Sequence, residues 1–442
     1  MDIYKIGYIY FTDKNIEVAK SNNKPIDNKL GRWYITGFLG FFLKFLYSLI
    51  LGKWNYIPPQ KEYEGCLFYG LSNNTRVTLL PIIKQMDTAK LVCYLYPKQF
   101  PSWRLYWYAL PHIIDLLKEI KCATPEDKPL FKLFFPKFWR MYGCEKAAAE
   151  MLQFYKPKVV VMANDHLEFN RCLLFEAKKR NIKTLYVQHA SVGTNFPPLQ
   201  FSFSMLDGLD SFNKYKKVGD MEGSVYLCGG VRFDPIKQIE MSSHVDKQVG
   251  VAINLLDSEQ VIKEVCIELQ KRLKEEGGML CLRPHPQMSE NNWKLWCENN
   301  GILFSSPSSE SSFKFILRQS VVVSNQCSIH LDSAMCHVPS IIYNMAERII
   351  DDVYLFVQNS LVKEAASIDE LMSFIRSADS SAINEDAVRY YNCSYGANYE
   401  GHVAEMISTL VNAICKDRIN DFNEAYHFSC MESDSRFTVY KS

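Results

Sequence analysis

The chain has 442 residues, too many for one hydrophobic core and enough for two α/β domains. Its 50 Lys and Arg against 49 Asp and Glu leave no overall field that would recruit nucleic acid. The 14 cysteines are scattered singly, often in apolar runs such as Leu91-Val92-Cys93-Tyr94, which excludes a disulfide framework and predicts reduced, mostly buried thiols.

In chain order, Tyr4 to Phe11 reads as a strand. It lacks the basic region, apolar run and small-residue cleavage site of a secretory signal, so the cytosol is the expected location. Trp33 to Leu51 is nearly all apolar and aromatic, with Lys44 alone in the middle. A charge there is costly in a spanning helix, which leaves a helix lying in the membrane interface or one wholly buried in a core. The run Phe131 to Arg140, which mixes lysines and aromatics, adds a second expected contact with lipid headgroups at the inner face of the plasma membrane.

Short β-type runs then alternate with amphipathic ones: Lys5 to Phe11, Cys66 to Leu71, Leu91 to Tyr96, Val159 to Ala163 and Thr184 to His189, with a helix from Glu168 to Asn181 before the last. Strand, helix, strand implies a parallel sheet. After Val225 to Gly230 the periodicity breaks, and a linker is expected there. The alternation resumes at Val249 to Leu256, followed by a helix over Ser258 to Glu276 that Ser258 caps. It continues through strands at Met279 to Leu282, Ile302 to Phe304, Val321 to Val323 and Ser340 to Tyr343, separated by helices. The expected domains are 1–240, including the apolar segment 33–51, then 248–400, with a C-terminal helix and a fraying, Ser- and Asp-rich tail in 401–442.

In a doubly wound sheet, ligands sit outside the carboxyl ends of the strands, so the chemistry is sought there. Arg283-Pro284-His285-Pro286 follows one strand directly. The two prolines stiffen the turn, Arg283 offers paired donors to a phosphate, and His285 offers one donor. Ser324-Asn325-Gln326-Cys327-Ser328 follows another strand and opens the helix of Ile329 to Met335, where backbone N–H groups and the helix end suit a phosphate; Asp332, one turn on, suits a ribose. The alternative for each is a rigid loop or an ordinary helix cap with no ligand. In the first half, Gln188-His189-Ala190 ends a strand, Asp165 ends the one before it, and Leu206-Asp207-Gly208 makes a further turn with a carboxylate.

Over roughly residues 155 to 345 these motifs resemble the capsule-type GT-B glycosyltransferases, which include bacterial Kdo transferases, polysialyltransferases and CDP-alditol phosphotransferases. The resemblance implies an α/β GT-B fold of two Rossmann-like lobes with parallel sheets facing a central cleft. The first lobe would be the acceptor side and the second would bind the nucleotide-sugar. It further implies that Gln188, Arg283, His285, Pro286, Ser324, Asn325, Ser328 and Asp332 bind the donor, and that Asp165 and His189 act at the sugar, with Asp207 and Glu168 as rival carboxylates. Ala190 departs from the Gln-His-Gly of the Kdo transferases and deprives the turn of its most permissive residue.

The expected function is transfer of Kdo or another ulosonic acid from a CMP-sugar donor to a capsule, O-antigen or lipopolysaccharide glycan, lipid-linked or not. Arg and His take the place of a divalent ion, and no cofactor or metal is expected. A CDP-glycerol or CDP-ribitol phosphotransferase and a non-catalytic GT-B scaffold are the competing expectations.

Overall fold

The computed structural model describes residues 1–12, 15–16, 37–51, 65–87, 91–95, 102–192, 196–239, 247–348, 350–352, 354–378 and 383–442. Trp33 to Thr36, Tyr96 and most of the expected linker, 240–246, lie outside the described residues. In chain order the strands are β1 (Cys66–Tyr69), β2 (Leu91–Tyr94), β3 (Val159–Met162), β4 (Lys183–Val187), β5 (Phe203–Leu206), β6 (Gly223–Leu227), β7 (Gln248–Ala252), β8 (Met279–Arg283), β9 (Leu303–Phe304), β10 (Val321–Ser324), β11 (Ser340–Tyr343), β12 (Lys363–Ala365), β13 (Ser429–Ser433) and β14 (Phe437–Lys441). The chain forms two compact units. The first comprises Met1–Leu206, Ser211–Cys228 and Ala404–Ser442, and the second Asp207–Asp210 and Gly229–Val403.

The first unit is built on a sheet in the order β13-β14-β6-β5-β4-β3-β1-β2, parallel except for the β13–β14 pair. The order reverses between β1 and β3, which makes the carboxyl ends of those strands the expected place for a ligand. The tail expected to fray instead forms the β13–β14 hairpin. Its β14 pairs with β6, Val439 is fully buried, and Tyr440 stacks on Tyr226 with ring centroids 4.9 Å apart.

The N-terminal residues read as a strand are helical, over Ile3–Ile6 and then Tyr8–Tyr10. Asp2 caps the first turn by accepting from the Lys5 N–H, and Ile3 and Ile6, three residues apart, are both buried. The aromatic run from Phe131 also differs from expectation. Phe131, Phe134, Phe135, Phe138 and Trp139 are buried, because the helices Lys128–Leu133 and Phe135–Tyr155 turn them onto one another and onto Tyr10 and Phe11. That run therefore packs inside the first unit and presents no aromatic face to a membrane.

Gly37–Leu51 is one helix. Phe41 is buried and stacks on Trp139 at 3.8 Å, yet Leu39, Tyr47 and Ile50 are 63, 67 and 76 % exposed, so this is no wholly buried core helix. Among the described residues, no helix is long and apolar enough to cross a membrane.

In the second unit all pairings are parallel, in the order β9-β8-β7-β10-β11-β12. Numbered along the unit this is 3-2-1-4-5-6, the order of a dinucleotide-binding sheet, with its switch point between β7 and β10. Alternate strand residues serve opposite faces. Val249, Val251, Leu280, Leu282, Val321 and Val323 pack with Ile262, Val265 and Leu269 of the helix Glu259–Glu275, while Ala252, Cys281 and Val322 pack with Phe315 and Ile316 on the other face. Cover on both faces explains why these strands are apolar without alternation in sequence.

Ser258 occupies the N-cap position of Glu259–Glu275 but makes no side-chain cap bond; its hydroxyl lies 3.4 Å from Glu347. The stretch after Cys228 that was expected to be a linker enters the second core through buried Phe233 of the 3₁₀ helix Val231–Gln238.

Candidate functional site

The second unit carries a cavity of about 680 Å³ at its switch point, lined at the end of β7 by Ala252, Ile253 and Asn254, at the end of β8 by Arg283, His285 and Pro286, and after β10 by Gln326, Cys327, Ser328 and Ile329. Glu310, Asp332 and Tyr354 also line it. The volume falls within the range of roughly 300–1,000 Å³ common to small-molecule sites.

The Arg283 guanidinium donates through Nη1 to Ser305 Oγ and through Nη2 to the Glu310 carbonyl, both at 2.8 Å, and lies over the Phe315 ring at 5.5 Å. Gly250 admits that ring, since a Cβ there would stand 2.7 Å from Phe315. These bonds fix the guanidinium plane and use two of its five N–H groups. Burial pulls Arg283 below its ordinary value, with Glu310 opposing, and a guanidinium keeps its charge in a protein. His285 Nδ1 accepts from the Gln287 N–H at 3.2 Å, which leaves the proton of the neutral ring on Nε2.

Behind the cavity wall, Ser324 donates to the Ala252 carbonyl at 2.7 Å and Asn325 donates to Asp257 Oδ1 at 2.7 Å, so both side chains, expected on the donor, brace the turn. Asn254 completes the brace by donating to the Gln326 carbonyl at 2.8 Å. His330 lies beneath. Its Nε2 donates to the Asn325 carbonyl at 3.1 Å and its Nδ1 accepts from Ser340 Oγ at 3.0 Å, while burial pushes the ring down to about 4 and keeps it neutral. Gln326 is 5 % exposed and lines the cavity, and its Oε1 accepts no hydrogen bond. A buried acceptor left this way costs about 1–3 kcal/mol, which a ligand donor would recover.

Asp332 is on the cavity wall, but Arg232 Nη1 donates to its Oδ1 at 2.8 Å. Burial raises the Asp332 carboxyl and Arg232 opposes that. Asp207 also groups with this unit and is not on the cavity wall. Burial, opposed by Arg232 and reinforced by Asp210, pushes its carboxyl up to about 7.

In the first unit, β3 delivers Asp165 to its carboxyl end, where the side chain is 1 % exposed. His166 Nδ1 lies 3.0 Å from Asp165 Oδ1, and the Tyr215 hydroxyl donates to Oδ2 at 2.5 Å. Asn164 sets the imidazole. Its Oδ1 accepts from the His166 and Leu167 N–H groups, so its Nδ2 is the donor facing His166 Nε2 at 3.2 Å, and Nδ1–H is left to donate to Asp165. Phe196 meets both His166 and Tyr215 edge to face.

His189 follows β4, and its buried Nδ1 has no partner. Burial holds the ring below its ordinary value, against the pull of Asp165, so it is neutral at pH 7. Gln188 Nε2 donates to the Ala190 carbonyl within its own turn. Ala190 has no positive φ, so alanine in place of glycine brings no backbone strain. Glu168, the rival carboxylate, is consumed by an ion pair with Arg140 at 3.0 Å and Lys137 at 3.5 Å and by the Tyr10 hydroxyl.

The structure thus brings Asp165 and His189 together in the first unit, and Arg283, His285, Pro286, Ser328 and Asp332 around one cavity in the second. Sequence reasoning missed Tyr215, which no local pattern marks, and Asp257 and Gln326, whose importance depends on the turn closing over them. His166 was legible only as the residue after Asp165. Among the described residues, no three His, Cys, Asp or Glu side chains converge as metal ligands.

No protein-family model matches the chain, and no curated protein matches it in sequence. Its fold is similar to that of the UDP-GlcNAc 2-epimerase from Neisseria meningitidis bound to UDP-GlcNAc, with a TM-score of 0.50 and 12 % identity over 78 % of this chain and 99 % of that one. A UDP-N-acetylglucosamine 2-epimerase from Rickettsia bellii gives 0.47 and 12 % over 82 % and 98 %. The wall teichoic acid polymerase TagF gives 0.47 and 12 % over 86 % and 98 %. At such identity the likeness to the Neisseria meningitidis enzyme is one of fold alone, and the two Rossmann-like sheets agree with a GT-B architecture.

Proposed function

We propose that this chain is a glycosyltransferase that takes Kdo or another ulosonic acid from a CMP-activated donor and adds it to a growing surface polysaccharide. The observation that carries the reading is the switch-point cavity of the second unit, which combines a fixed cation at Arg283, an Nε2–H donor at His285 and an orphaned acceptor at Gln326. Cation and donor suit a phosphate; the acceptor suits a nucleobase amino group or a ribose hydroxyl. The choice of cytidine and of an ulosonic acid rests on the resemblance of the His-Pro and Ser-rich turns to those of the capsule-type enzymes.

Asp165 supplies the carboxylate. Each of its oxygens accepts one hydrogen bond, which fixes the rotamer and leaves further lone pairs for attack on the anomeric carbon or for the acceptor's proton. As a nucleophile it would form the sugar–carboxylate bond while the bond from anomeric carbon to phosphate oxygen breaks and CMP departs with that electron pair. The acceptor hydroxyl would then displace the carboxylate and release its proton. Neutral His189 can hold the sugar's own acid group by a hydrogen bond. A non-catalytic scaffold would have no need of a carboxylate buried among His166 and Tyr215 donors.

Turnover of CMP-Kdo, CMP-sialic acid, CDP-glycerol and UDP-GlcNAc, each with and without EDTA, tests this reading. Release of CMP from CMP-Kdo in the presence of an acceptor glycan, unchanged by EDTA, is expected, because Arg283 and His285 serve in place of a metal. Turnover of CDP-glycerol alone would shift the chemistry to phosphorus, and turnover of UDP-GlcNAc alone would overturn the cytidine assignment.

We also propose that the helix Gly37–Leu51 rests on the inner membrane surface, bringing the enzyme to a lipid-linked acceptor. Exposed Phe38, Leu39, Leu46, Tyr47 and Ile50 support this. Flotation with anionic liposomes should carry the native chain upward and leave a Leu46→Glu, Ile50→Glu variant behind; a native chain that stays with the soluble fraction contradicts it.

A further inference from the structure

A second cavity of the second unit, of about 230 Å³, adjoins the His-Pro turn and contains none of the phosphate-directed groups described above. We propose that it is a subsite for one ring of a neutral saccharide, formed by Trp293, Trp296, Asp257, Glu259, Asn292 and Lys263. The proposal rests on the nucleotide reading only for its role, as an acceptor or product subsite, and not for saccharide binding itself.

Its lining is of the kind that recognises sugars. Trp293 is buried in the core and Trp296, half-buried, packs on it nearly perpendicular, at 83° with ring centroids 5.7 Å apart, so Trp296 is held in place and its uncovered part is the apolar surface for the C–H face of a pyranose. Asp257, Glu259 and Asn292 supply acceptors and an amide for its hydroxyls. The charge balance selects the sugar. Lys263 Nζ lies 2.5 Å from Glu259 Oε1 and 5.8 Å from the Trp293 ring centroid, so its charge is matched within the cavity. Asp257 then leaves the lining with one negative charge in excess, which repels carboxylated and phosphorylated sugars.

Position joins this cavity to the nucleotide pocket. One turn walls both, with His285 and Pro286 on the nucleotide side and Met288 and Ser289 on the other, and it is closed by the Met288 N–H donating to the His285 carbonyl at 2.8 Å. Asp257 is shared as well: its Oδ2 accepts from the Asn254 N–H and its Oδ1 from Asn325 Nδ2, both at 2.7 Å, and Asn254 lines the nucleotide pocket.

Saturation-transfer NMR on the whole chain tests the subsite, with glucose and N-acetylglucosamine as neutral probes, glucuronate as the acidic one, and CMP added to the same samples. The neutral sugars should bind the native chain with and without CMP, and glucuronate should not. Trp296→Leu and Asn292→Ala, the latter an exposed position with no packing role, should each weaken the neutral sugars about tenfold while CMP affinity holds within about twofold. Absence of neutral-sugar binding, equal binding in both variants, a preference for glucuronate, or displacement by CMP would each overturn the proposal. Sugar binding without any CMP binding would leave the subsite standing and remove the nucleotide reading instead.

Discussion

An Asp165→Asn chain is expected to lose about a thousandfold in donor turnover while it stays folded and keeps a CMP affinity near that of the native chain. The substitution keeps the shape of the side chain and removes the charge and one acceptor. His166 Nδ1–H and the Tyr215 hydroxyl each donate to a different carboxylate oxygen, and an amide can receive only one of them. The other donor must turn away, and no anion remains to attack carbon or take a proton. Single-turnover CMP release in the native and variant chains measures the loss. Full activity in a folded Asp165→Asn chain would remove Asp165 from the chemistry.

Glu168→Gln should do the opposite, costing stability and sparing the chemical step. The Glu168 side chain is 6 % exposed between Arg140 and Lys137, with the Tyr10 hydroxyl donating to it. Burial alone would raise its carboxyl, but Arg140, Lys137 and that hydroxyl outweigh burial and hold it well below the usual glutamate range. Neutralising it strands Arg140 in a largely buried site, a loss of about 3–5 kcal/mol.

The sign of the pH dependence follows. A depressed carboxylate contributes stability above its unfolded value of about 4.3, and that contribution fades as pH falls from there towards the folded value. Urea midpoints of the two chains should therefore differ most at neutral pH and converge below about pH 4. Equal midpoints at pH 7 would show the ion pair to be dispensable.

The contrast between these two carboxylates shows what sequence can carry. Asp165 and Glu168 are three residues apart and equally acidic, and only the tertiary partners separate them: Tyr215 for one, Arg140 and Tyr10 for the other. The second sheet was legible in five of its six strands, because parallel strands covered on both faces write themselves as apolar runs such as Val321-Val322-Val323, and the ligand end followed from strand ends; the edge strand Lys363–Ala365 is polar and carries no such run.

The first hundred and fifty residues were harder to read. Aromatics in Tyr4 to Phe11 suit a strand as well as a helix, and the cap at Asp2 and the packing of Tyr10 on Phe134 and Phe138 decide for the helix. Phe131 to Arg140 carries the composition of a membrane interface, yet its rings fill a core and its Arg140 serves Glu168. The tail shows the same effect, since polar Ser429–Ser433 is held as an edge strand only by pairing with β14. In each case a long-range partner overrides local composition.

The central claim is that the switch-point cavity of the second unit holds the phosphate and nucleoside of an activated donor. Titrating CMP into the native chain and into His285→Ala by calorimetry, with UDP, GDP and ADP as comparisons, tests it most directly. CMP should bind the native chain in preference to the others, and His285→Ala should weaken it about tenfold through loss of one charge-assisted donor. Equal CMP affinity in the two chains, or no nucleotide binding by the native chain, would contradict the account.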